Sequence, residues 1–147
     1  MPLRKLSGFH RARVPAALLA LSVAACGTRK TPTEPVEPVD PSATFIRVQA
    51  EVFTPSCALS GCHAGPTPQQ GMDLSAGKSY ASIVGVAATE STRLRIAPGD
   101  PASSYLVSKT AGDATITGSR MPFGGPYLSD AKQKLLVDWV QRGAPND

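Results

Sequence analysis

The chain has 147 residues, with 15 Lys+Arg against 11 Asp+Glu, a formal charge of +4, and 13 Gly, 14 Pro and 3 Cys. That length holds one ordinary domain with a tail, and the composition excludes a polytopic membrane protein, a collagen and a disulfide-dense toxin. Hydrophobic residues reach 41% but aromatics only 5%, so the core has few bulky side chains and the loops are many.

Residues 1–13 carry Arg4, Lys5, Arg11 and Arg13 and no acid, and Val14 to Ala25 is an uncharged run of 12. Such a run rises about 18 Å as a helix, too short for a hydrocarbon core of about 30 Å. A basic start, a short apolar stretch and small residues at its end read as an export signal. Val23-Ala24-Ala25-Cys26-Gly27 resembles the bacterial lipobox. That resemblance implies cleavage before Cys26, lipid attachment to Cys26 and a mature protein facing the periplasm. With Gly27 rather than Asp after the cysteine, the outer membrane is the expected destination. A plain secretory signal with an incidental cysteine is the alternative. Removing residues 1–25 takes four bases and no acid, leaving 11 against 11. The mature protein is formally neutral, and a nucleic-acid partner loses its only support.

Residues 26–43 are expected to be the lipidated cysteine and a linker. Pro32, Pro35, Pro38 and Pro41 fall every third residue, the period of polyproline II. Such a spacer extends ~3.1 Å per residue. A Pro-rich ligand for a partner module is the competing reading.

Residues 44–147 are read as one mainly α domain. Phe45, Val48, Val52 and Phe53 mark one face of a first helix. A shorter helix is expected around Ser79–Val84. Asp100-Pro101 reads as an N-cap followed by Pro at the first helical position, opening a helix through about Lys109 that ends before Gly112. Ser129 caps a last helix striped by Leu135, Leu136, Trp139 and Val140, and Gly143 stops it. Strand-like alternation is scarce.

The chemistry concentrates at Cys57-Ala-Leu-Ser-Gly-Cys62-His63. A histidine directly after the second of two nearby cysteines is the arrangement for covalent haem attachment, usually with two residues between the cysteines and here with four. Both thiols must reach vinyl groups on one porphyrin edge while the adjacent imidazole reaches the iron. A Cys57–Cys62 disulfide, natural in an oxidising compartment, and a zinc site compete with this reading. Only Cys57, Cys62 and His63 remain as ligands for zinc once Cys26 is acylated. His63 is the sole histidine after cleavage, so a distal protein ligand should be methionine. Met72 lies nine residues after His63, tight for a chain that must round the porphyrin. Met121 lies 58 residues downstream in Gly118-Ser-Arg-Met-Pro-Phe-Gly-Gly125 and is the expected ligand.

The segment from Phe53 to Ala144 resembles a small monohaem c-type cytochrome, a family in which longer Cys–Cys spacings are known variants. C-x4-C-H, Met121-Pro122, Ala97-Pro-Gly-Asp-Pro-Ala-Ser-Ser-Tyr-Leu106 and the closing Leu128–Ala144 stretch carry the resemblance. It implies a cytochrome c-like helical shell around one covalent haem c, held by Cys57 and Cys62 and ligated by His63 and Met121. The implied role is electron transfer between redox partners of the cell envelope, not catalysis. A five-coordinate haem sensor or peroxidase-like domain, and a haem-free disulfide-stapled lipoprotein domain, are the alternatives. Arg120, Tyr127 and Trp139 are candidates for the haem propionates, and Tyr80, Tyr105 and Phe123 for pocket or core packing.

Overall fold

Thr44 opens the first helical run, its hydroxyl accepting the Arg47 N–H at 3.3 Å. The computed structural model describes residues 37–147, which form one unit. The expected signal, Cys26 and most of the linker lie outside the described residues.

The run expected as one α-helix over Phe45–Phe53 extends to Ser56 and has three parts. These are α1 (Phe45–Val48), a π-helical stretch over Gln49–Phe53, and α2 (Thr54–Ser56). Pro55 accounts for the wider register. It has no N–H to give, and its ring would meet the Glu51 carbonyl in a regular α-helix. The π spacing moves that carbonyl away, and the Thr54 and Ala58 N–H groups bond five residues back, to Gln49 and Phe53.

A 3-10 turn (Gln69–Gly71) and α3 (Ser79–Ile83) follow. Next comes α4 (Tyr105–Ala111), which starts later than expected. Asp100 does cap a turn, accepting the Ser103 N–H at 3.0 Å. Ser104, however, is extended, because the Tyr105 and Leu106 N–H groups bond back to Leu94 and Arg95. The helix can propagate only beyond that anchor. It ends at Gly112, whose φ of +76° is the left-handed conformation a C-terminal cap requires.

The last helix, α5 (Asp130–Gln141), forms as expected, with the Ser129 hydroxyl accepting the Lys132 N–H. Gly143 and Ala144 close it by bonding back to Val140 and Trp139. Among the described residues the regular structure is all helical. Isolated bridges, such as Val84 with Ile96, replace a sheet.

The core joins the two ends of the domain. Val48, Val52 and Phe53 pack with Leu136, Trp139 and Val140. The Phe45 ring lies 5.4 Å from Trp139 and 5.2 Å from Tyr80. Each fully buried large apolar side chain contributes about 1.5–3 kcal/mol. Residues 37–43, read from sequence as the end of the spacer, pack onto this core. Ala43 is buried, the Asp40 N–H donates to Asp138 at 3.1 Å, and Lys134 Nζ donates to the Pro38 carbonyl at 3.2 Å.

Candidate functional site

The π register delivers Cys57 to the end of the helical run, with its thiol against the core and its N–H bonded to Phe53. From there the chain turns sharply. The Cys62 N–H bonds to Leu59 at 3.0 Å, and Gly61 takes a φ of +77° that a side chain would resist. The His63 N–H then bonds to the Cys57 carbonyl at 3.2 Å, closing the loop. Both cysteines carry free thiols, Cys57 buried and Cys62 exposed. Burial, then the nearby Cys62, pushes the Cys57 thiol up to about 11.

His63 is held through its backbone and through Nδ1. Its carbonyl accepts the Leu74 N–H at 2.7 Å. Its Nδ1 lies 3.2 Å from the Gln69 carbonyl and 3.3 Å from the Met72 carbonyl. Carbonyls only accept, so Nδ1 carries the proton and Nε2 keeps its lone pair. Burial lowers the affinity of the ring for a second proton. The imidazole is thus presented as a neutral ligand through Nε2, in the manner of metal-bound histidines whose other nitrogen is held by a carbonyl.

Met121 arrives from the loop between α4 and α5. Its N–H bonds to the Lys109 carbonyl at 2.8 Å, and Arg120 Nε just before it bonds to the Thr110 carbonyl at 2.9 Å. The same loop is tied by Lys109 Nζ to the Thr117 carbonyl and by Tyr105 Oη to the Thr117 N–H.

These elements enclose a cavity of about 510 Å³. Cys57, Cys62, His63 and Met121 all line it, together with Leu74, Leu106 and other apolar groups. Its size falls within the range of about 300–1,000 Å³ typical of cofactor and ligand sites. Met72 also lines the cavity, but its own carbonyl holds His63 Nδ1, which puts its backbone behind the imidazole.

The other expected residues divide. Tyr105 forms part of the wall, and Phe123 lines the cavity while 77% exposed. Tyr80 belongs to the core, donating to the Ala144 carbonyl. Trp139 is fully buried and donates to the Pro145 carbonyl, and the Arg120 guanidinium lies over the Tyr127 ring at 4.3 Å. None of these last three lines the cavity.

The polar wall is made instead by residues the sequence did not single out: Arg95, Glu90, Lys109, Gln69 and Gln70. Lys109 and Glu90 pair at 3.0 Å with little exposure of the lysine. Among the described residues no three His, Cys, Asp or Glu side chains gather as ligands for a bare metal ion.

The chain matches no protein-family profile, no curated protein and no solved structure.

Proposed function

We propose that the domain is a monohaem c-type electron carrier with a cytochrome c-like helical shell. The observation that carries this reading is the convergence of both cysteines, His63 and Met121 on one apolar cavity. Three features of the wall fit a haem c. The closed Cys57–His63 loop keeps two thiols beside an imidazole, Nε2 of that imidazole is free, and a thioether faces the same space.

In this reading Cys57 and Cys62 hold the cofactor covalently. Their free thiols would be the two points of attachment, with the buried Cys57 and the exposed Cys62 at the two ends of the closed loop. His63 ligates through Nε2 while Gln69 and Met72 fix its tautomer. Met121 would offer its soft thioether to the iron, a ligand that favours the ferrous state and raises the reduction potential. The haem iron supplies the one-electron chemistry. The chain's residues would hold it in a largely apolar space, and with His63 and Met121 both bound to the iron no position would remain for substrate.

Exposed Leu59 and Phe123 at the cavity would meet redox donors and acceptors of the envelope. The proposed anchor is lipid on Cys26, facing the periplasm from the outer membrane. No helix of the described residues is long and apolar enough to cross a membrane.

The test is whether the Met121 thioether binds the iron. Oxidised holoprotein should carry the weak long-wavelength band of sulfur-to-iron charge transfer, and Met121→Ala should abolish it while haem stays attached. A wild-type haem protein without that band supports the five-coordinate sensor or peroxidase-like reading instead.

A further inference from the structure

Arg95 is only 8% exposed, yet among the described residues no carboxylate pairs with it. Asp73 pairs with Lys78 at 3.2 Å, and Glu90, on the same cavity wall, pairs with Lys109. Three backbone carbonyls occupy part of the guanidinium. Nη1 donates to Ser82 at 2.8 Å and to Gly71 at 3.5 Å, and Nη2 donates to Gln70 at 2.7 Å. The Gln70 carbonyl reaches it because Gln70 adopts a φ of +57°, uncommon for a residue with a side chain.

Of five N–H groups, two are left without a partner among the described residues: Nε–H and the second hydrogen on Nη2. Nε and Nη2 share one edge of the planar guanidinium, the edge that matches the two oxygens of a carboxylate. Neutral carbonyls satisfy hydrogens but do not neutralise charge, and an uncompensated buried cation is costly. Because Arg95 lines the cavity, the missing anion is supplied from there.

We infer that Arg95 is the carboxylate receptor of the cavity, and that its free edge takes one of the two haem propionates. The inference rests on the haem reading and adds which end of the cofactor lies against the Gln70–Gly71 turn. Lys109 is already matched by Glu90, so one propionate is held by a full charge and the other is not. A cation beside the haem disfavours ferric iron, so Arg95 also raises the potential.

The experiment uses full-length holoprotein made with the c-type maturation machinery and haem labelled with ¹³C at its carboxylates. Arg95→Gln and Arg95→Lys are compared with wild type by redox titration and by oxidised-minus-reduced infrared spectra. Expected for Arg95→Gln is a lower potential and a shift of one labelled carboxylate band, with the other unmoved. Arg95→Lys should shift the same band and keep more of the potential, because it retains the charge and loses the fork. Should the glutamine variant not accumulate, the lysine variant carries the test through its band. Unmoved bands overturn the inference, even if the potential falls. A wild-type protein without covalent haem overturns the haem reading and this inference together.

Discussion

The Lys109 carbonyl accepts the Met121 N–H at 2.8 Å, while the ammonium of the same lysine donates to the Thr117 carbonyl and pairs with Glu90 at 3.0 Å. One residue of α4 therefore holds the Met121 loop at two points. Replacing Glu90 by Ala leaves the Lys109 ammonium buried without its counter-charge. The expected loss is about 3 kcal/mol, since breaking a buried pair strands a charge. Urea unfolding measures it, and a variant as stable as wild type would show that the pair does not hold the loop.

The two thiols should react very differently before any cofactor is attached. Cys62 is exposed, whereas Cys57 is buried and its thiol pushed up to about 11, so little thiolate forms near neutral pH. Of these two, native alkylation should label Cys62 alone, and denaturant should release Cys57. Two equally fast sites, or none, would contradict this arrangement.

Gly112 should not tolerate a side chain. Its φ is +76°, and an added Cβ would run into the Arg120 side chain that helps fix the Met121 loop. Gly112→Ala should cost about 1–2 kcal/mol from the left-handed conformation alone, with displacement of Arg120 added. Thermal melts of the two proteins compare them directly, and an unchanged midpoint would count against the cap.

What the sequence made legible is what depends on near neighbours. Ser129, Gly112 and Gly143 bound their helices because caps and stops act within a turn, and Cys57, Cys62, His63 and Met121 stood out by residue type and spacing. The start of α4 was not legible. Ser104 is held extended by bonds from Tyr105 and Leu106 to Leu94 and Arg95, which no local preference encodes. Arg95 was hidden for a similar reason. Beside Leu94 and Ile96, alternation would place both apolar neighbours inside and the arginine outside. Instead Leu94 is 36% exposed and Arg95 is buried, because its partners come from the 3-10 turn and α3. The only sequence hint is a charged residue between two apolar ones, a pattern too common to single it out.

Acid should weaken the fold through its turn aspartates. Hydrogen bonds from Ser108 and Thr115 hold Asp113 down to about 2 from its ordinary 3.8. Turn bonds likewise lower Asp40, Asp73 and Asp100. A lowered folded value means the unfolded chain binds more protons in that window. The stabilisation is thus whole above about pH 4 and is lost as pH falls towards about 2. Asp113→Asn should flatten part of that decline in stability against pH. Equal steepness in the two proteins would remove Asp113 from the account.

The claim that Cys57 and Cys62 bind one haem covalently is tested most directly by intact mass. Full-length protein is made with the c-type maturation machinery and weighed under denaturing conditions. The account predicts a gain of one haem, with peptides containing Cys57 and Cys62 carrying it and no free thiol at either position. A loss of two hydrogens, marking a Cys57–Cys62 disulfide, or two unmodified thiols would contradict it.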